Sequence, residues 1–123
     1  MMNWIKPLGN YCKSKYLNMR GKRRKNLIKT IELIIDECDF TLQTFFYAVN
    51  IVDNYLLSIS NKKRAAPCLE TLALTSVILA AKLENQETDI KSVLLRNSNL
   101  MISLKEVVMF EYQILKELEF DIN

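Results

Sequence analysis

The chain has 123 residues, of which 50% are hydrophobic and 25% charged, with a formal net charge of +3. That length suits one small domain, and that charge is too small to demand a nucleic-acid partner. There is no histidine and there are only two glycines, which excludes a Ser-His-Asp triad, a histidine-ligated metal site and a glycine-rich phosphate loop. We therefore expect a protein that is not an enzyme and needs no cofactor.

The N-terminal part is the least regular in pattern. Residues 1–21 contain apolar residues at helical spacing, but Pro7 interrupts them, so we expect an arm or a short helix before a single domain at 22–123. The basic run Lys22 to Lys25 has two interpretations that remain open: nuclear import or phosphate contact, and the solvated start of a helix.

Two amphipathic helices follow. Helix 1 is predicted from Arg23 to Cys38, and helix 2 from Leu42 to Leu57 with Thr41 as its N-cap. The predicted apolar stripe of helix 1 consists of Leu27, Ile28, Ile31, Ile34, Ile35 and Cys38. That of helix 2 consists of Leu42, Phe45, Phe46, Val49, Val52 and Leu56.

Helix 3 is predicted to be the centre of the domain. Pro67 suits its first turn, and the stretch from Leu72 to Glu84 is apolar on all sides until Lys82. A helix that is hydrophobic all round lies among other helices or in a membrane, and this one is shorter than the roughly 20 residues that cross a bilayer. We therefore expect a buried helix and no membrane.

The remaining elements complete an all-α fold of five helices. Helix 4 is predicted as a short helix from Thr88 to about Leu94, followed by a loop at Asn97 to Asn99. Ser103 and Glu106 have the spacing of a capping box and open helix 5, which ends near Leu118. The three cysteines, Cys12, Cys38 and Cys68, form no close pair and predict reduced core thiols in an intracellular protein. The location that we expect is the nucleus, the cytoplasm or both.

Four charges fall on apolar faces when each helix is plotted at about 100° per residue. Asp53 lies within the helix 2 stripe, and Arg24 lies in line with the helix 1 stripe. A short loop makes these helices antiparallel, so we expect Arg24 and Asp53 to form a buried ion pair, because a lone buried charge is costly.

Lys82 ends the apolar helix 3, and Glu111 lies at the centre of the predicted helix 5 stripe. Two interpretations stay open for each. Lys82 is favoured at a helix C-terminus by the helix dipole, and Glu111 could have a partner inside the domain. Alternatively, both face a groove that another protein fills, as charged anchors in apolar surroundings do.

Three motifs then resemble the cyclin box. They are Ala48 to Leu56 (AVNIVDNYL), Leu74 to Glu84 with its LAAKLE, and Glu111 to Ile122 (EYQILKELEFDI). Their order and spacing cover about 100 residues from roughly Arg24. The resemblance implies a five-helix cyclin box that binds a cyclin-dependent protein kinase as a heterodimer and activates it by positioning the kinase C-helix, with no small-molecule substrate.

The resemblance also implies roles for individual residues. Lys82 and Glu111 match the family's charged contacts to the kinase, and Arg24 and Asp53 match its internal salt bridge. The implied apolar contacts to the kinase are Leu79, Leu83, Leu115, Phe120 and Ile122.

The sequence departs from many cell-cycle cyclins in their substrate-docking patch: Thr30 stands where they have Trp, and Glu70 where they usually have Gln. Only one box is present, as expected for a single-box, viral or reduced cyclin or for a fragment. A second function stays open, a cyclin-fold module that binds DNA or transcription machinery through Lys22 to Lys25 and Lys62 to Arg64. A third is a decoy that binds a kinase without activating it.

Overall fold

The computed structural model describes residues 21–62, 68–84 and 89–118, with the side chains of residues 21 and 22 left aside. Within these ranges the fold is all-helical, as the sequence predicts. The elements, in chain order, are α1 (Gly21–Cys38), α2 (Leu42–Asn61), α3 (Leu69–Leu83), α4 (Ile90–Arg96), a 3-10 turn (Ser98–Leu100) and α5 (Leu104–Glu117).

Helix α3 is the centre of the domain. Every residue from Leu72 to Ala81 is buried, and α1, α2 and α5 all pack against it. Alanines at 73, 80 and 81 are fully enclosed, and their small side chains let neighbouring helices approach closely. The prediction of a central buried helix is confirmed, and its burial ends at the exposed Lys82.

Helices α1 and α2 form a hairpin with a three-residue turn. Asp39 has a φ of 55°, and the amides of Asp39 and Phe40 donate to the carbonyls of Asp36 and Ile35. This is the Schellman arrangement, and Asp is one of the residues that tolerate the left-handed region. The Thr41 hydroxyl then accepts from the amide of Thr44, which confirms the predicted N-cap of α2.

N-terminal caps also define where the helices of the second half of the chain begin. The Asp89 side chain accepts from the amide of Lys91 and begins α4. The capping box of Ser103 and Glu106 is present at the start of α5, as predicted. Between them, Asn97 donates to the Val93 carbonyl and lies beside the Cys38 sulphur at the end of α1.

Two predicted stripes need correction. In α2, Leu42 and Phe46 are exposed, and the helix runs to Asn61 rather than ending at Leu57. The main buried face of α2 instead uses Thr44, Ala48, Ile51, Val52, Tyr55 and Ile59. The buried face thus includes two small residues, Thr44 and Ala48, while the larger Leu42 and Phe46 face away from it.

In α5 the predicted stripe is also rotated. Val108 is exposed and Leu104 is partly so, whereas Val107, Phe110 and Ile114 form the buried face. Glu111 therefore lies at the edge of the buried face, one position along from Phe110, rather than at its centre. Among the helices of the described ranges, none is both long enough and apolar enough to span a bilayer.

The burial of α3 makes a direct prediction about stability. Ile78→Ala removes a fully buried side chain and should lower the free energy of unfolding by about 2–5 kcal/mol, because the tightly packed surroundings cannot fill the cavity. Leu95→Ala, at an exposed position of α4, is the matched control and should cost less than about 0.5 kcal/mol. Urea unfolding followed by circular dichroism measures both, and equal losses would contradict the central position of α3.

Candidate functional site

A lysine and a glutamate meet where the buried helix reaches the surface. Lys82 is in the last turn of α3, and Glu111 is in the middle of α5. The Lys82 ammonium lies 2.7 Å from Glu111 Oε1. Their side chains are 40% and 14% exposed, so the pair closes the end of the α3–α5 contact and remains in contact with water.

The surroundings of this pair are apolar. Leu79, one turn before Leu83 on α3, is buried, whereas Leu83 and Leu115 are partly buried. Leu83 follows Lys82 directly, and Leu115 is one turn after Glu111 on α5. Phe120 and Ile122, which the resemblance adds to this surface, lie outside the described residues. The structure thus brings together a charged pair and two partly exposed leucines on one edge of the domain.

The Lys82–Glu111 contact joins two helices of the same domain. Glu111 does have a partner inside the domain, and Lys82 is at the C-terminal end of a helix, where the dipole favours a cation. An exposed ion pair contributes only about 0–1 kcal/mol to stability. Maintaining this pair for stability alone would therefore bring little benefit, which leaves room for a second use of its exposed side.

The second ion pair is deeper and joins α1 to α2. Arg24 Nε donates to Asp53 Oδ1 at 3.0 Å, and Arg24 Nη2 donates to Oδ2 at 2.8 Å. Asp53 is 2% exposed and Arg24 28%. This two-pronged geometry fixes both the distance and the orientation of the groups, and it sets the register of the α1–α2 hairpin far from its turn.

A third cluster, of Glu117, Ser58 and Lys62, is absent from the sequence predictions. The Glu117 carboxylate accepts from the Ser58 hydroxyl and lies 2.7 Å from the Lys62 ammonium, although its side chain is only 7% exposed. The charged residues around Glu117 suggest that it belongs to the polar face of α5. One feature of the sequence does indicate that Glu117 is sheltered. It follows the buried Phe110 by seven residues, and a separation of two turns returns a residue to nearly the same face of a helix.

The two described thiols differ in their surroundings. Burial raises the pKa of the Cys38 thiol, and the hydrogen bond from Asn97 offsets only part of that effect. Cys38 therefore stays protonated and unreactive at neutral pH. Cys68 is exposed, and no group of three His, Cys, Asp or Glu side chains in these ranges could hold a metal ion.

The residues that depart from the substrate-docking pattern lie together in space. Thr30 of α1 and Glu70 of α3 line one open groove, which also contains the exposed Leu33 and the carboxylate of Glu37. Arg96 reaches the same groove and donates to the Glu37 carbonyl at 3.1 Å. The described residues that line this groove include no aromatic side chain.

Comparison with known proteins gives the family. A family model described as the cyclin N-terminal domain matches residues 5–123, so the chain belongs to the cyclin family. Members of this family are regulatory rather than catalytic. The match includes residues 5–21, and the predicted domain boundary at residue 22 stays a prediction. No curated protein and no solved structure matched the chain.

The Arg24–Asp53 geometry yields a stability prediction. Arg24→Ala leaves Asp53 buried without its cation and should lower the free energy of unfolding by about 3 kcal/mol, at the low end for buried pairs since Arg24 is partly exposed. The neighbouring Arg23 is exposed, so Arg23→Ala should cost less than about 0.5 kcal/mol. Chemical unfolding of both variants measures the difference, and a loss below about 1 kcal/mol for Arg24→Ala would rule out this role.

Proposed function

We propose that this chain is a regulatory subunit that binds a cyclin-dependent protein kinase and activates it by positioning the kinase C-helix. The observation that carries the proposal is the Lys82–Glu111 pair at the apolar end of the α3–α5 contact. These two positions match the charged kinase contacts of the family motifs, and Leu83 and Leu115 beside them match its apolar contacts.

The pair is suited to recognise backbone groups at the end of a partner's helix. An ammonium has three N–H donors, and the contact with Glu111 Oε1 uses one of them, so Lys82 keeps donors for carbonyl oxygens of a partner. Each side chain already has a fixed orientation before binding. Little side-chain entropy is then lost on association, which favours affinity.

The leucines supply the apolar part of the proposed contact. Leu83 and Leu115 are partly exposed and would become covered by a partner helix, while Leu79 is already buried in the domain. An apolar centre with a few oriented charges is the usual composition of a specific protein interface. Phe120 and Ile122 would extend it.

Activation would follow from preferential binding of one kinase conformation. A protein kinase needs its C-helix in place so that the Glu of that helix pairs with the catalytic Lys, and this pairing is a point of control. A subunit that contacts the C-helix only in that position shifts the equilibrium toward it, by as much as its affinities for the two states differ.

The nucleic-acid alternative loses part of its support. Two of the cations that suggested it, Arg24 and Lys62, are engaged by Asp53 and Glu117. The charge of Arg24 is balanced by the buried Asp53, so Arg24 is a weak candidate for a phosphate contact. We therefore keep the kinase partner as the proposal.

The test is a pull-down against a panel of cyclin-dependent kinases, followed by a kinase assay on any kinase that binds. Lys82→Ala combined with Glu111→Ala should weaken binding by about 30-fold or more, the effect of losing an interface hot spot of 2 kcal/mol. The activity gained by the kinase should fall in parallel. Melting temperature should change little, because the pair itself contributes little to stability.

Lys29→Ala combined with Glu32→Ala is the matched control, since both are exposed charged residues on α1. That variant should bind as the unaltered chain does. Binding without activation would overturn the activation step and favour a decoy. No binding by the folded chain to any kinase in the panel would overturn the proposal.

A further inference from the structure

A second surface lies on the opposite side of α5 from the Lys82–Glu111 pair. It is an open groove of about 970 Å³ between the C-terminal half of α2 and the outer side of α5. Its lining consists of Tyr55, Lys62, Val108, Met109, Tyr112, Gln113, Lys116 and Glu117. Among the described residues, none of the motif positions assigned to the kinase lies in this lining.

The two surfaces point in different directions. With 3.6 residues per turn, Met109 and Lys116 lie about 160° and 140° around α5 from Glu111. Glu111 faces α3, whereas the groove is closed on its far side by Tyr55 and Lys62 of α2. A partner in the groove could therefore be bound while the Lys82–Glu111 side is occupied.

The centre of the groove is apolar and unusually exposed. Val108, Met109 and Tyr112 are each more than half exposed. Large apolar residues that are exposed together on one face commonly mark an interaction site. A methionine adapts its shape to different ligands, and a tyrosine combines apolar area with a polar end. This centre fits an apolar or aromatic side chain.

The rim of the groove is positive. Lys62 and Lys116 present exposed ammonium groups, and Glu117, the one carboxylate among the described lining residues, is almost completely buried. Glu117 also accepts from Ser58, so its charge is directed into the domain. It holds Lys62 at 2.7 Å and thereby fixes one cation of the rim in position.

We propose that this groove binds an acidic peptide segment of another protein, with one apolar or aromatic side chain in the centre and carboxylates against Lys62 and Lys116. The charge complementarity commits the groove to an acidic partner, because a basic one would meet both lysines unfavourably. Its volume, at the upper end for small-molecule pockets, and its open form suit a few residues of extended chain. The groove would thus recruit a second protein to the kinase complex.

The test measures fluorescence anisotropy with two dye-labelled peptides and the full chain without a kinase. One peptide has a phenylalanine flanked by glutamates, and the other has the same phenylalanine flanked by lysines. The acidic peptide should bind at least about tenfold more tightly, and its affinity should fall as salt is raised, because the contacts are at the surface. Replacing its phenylalanine by serine should also weaken it.

Charge reversal on the protein should change this preference. Lys116→Glu should weaken the acidic peptide by at least about fivefold and strengthen the basic one, whereas Lys29→Glu, an exposed lysine on α1, should do neither. The gain with the basic peptide shows that the variant is folded. Lys82→Ala with Glu111→Ala should leave peptide binding unchanged, which separates this proposal from the kinase proposal.

Equal binding of the acidic and basic peptides would overturn the inference, as would unchanged binding of the acidic peptide by Lys116→Glu. If neither peptide bound at millimolar concentration, that result would overturn the inference too.

Discussion

The constraint on which the structure depends is the complete burial of α3. A helix that is apolar on every side must be surrounded, and α1, α2 and α5 supply that surround. Each of these helices is amphipathic because it must meet α3 on one side and water on the other. At the C-terminal end of α3, the charged Lys82 directly follows the last buried residue, Ala81.

The ion pairs described above each join two different helices, and they differ in depth. Arg24–Asp53 joins α1 to α2 and is the deepest, so its main effect is on stability and register. Lys82–Glu111 joins α3 to α5, and Lys62–Glu117 joins α2 to α5. In these two pairs a sheltered glutamate holds an exposed lysine in place, which orients a cation toward whatever lies outside the domain.

Much of this arrangement could be predicted from the sequence, for physical reasons that differ between elements. The central helix was predictable because no polar face competes with its apolar one, and the caps at Thr41 and Ser103 were predictable because their chemistry is local. The Arg24–Asp53 contact followed from the cost of burying either charge alone. Hydrophobicity and size alone predict burial for Leu42 and Phe46, but the helix buries the neighbouring face, which includes the small Thr44 and Ala48. The Glu117 cluster is not predictable from the sequence, because Glu117 belongs to a charged stretch that suggests a polar face. Its partner Ser58 is distant in the sequence and comes into contact only in the folded domain.

The central claim is that Lys82 and Glu111 form a contact site for another protein and do more than hold α3 to α5. The most direct test exchanges the two residues, as Lys82→Glu with Glu111→Lys, and measures melting temperature and kinase binding on the same sample. The exchange keeps an ion pair between the helices, so the melting temperature should stay within a few degrees of the original, lowered slightly by an anion at the end of α3. Kinase binding should be lost, because both charges now face the partner with the wrong sign. A variant that melts normally and still binds the kinase at full strength would contradict the claim and leave the pair a purely internal contact.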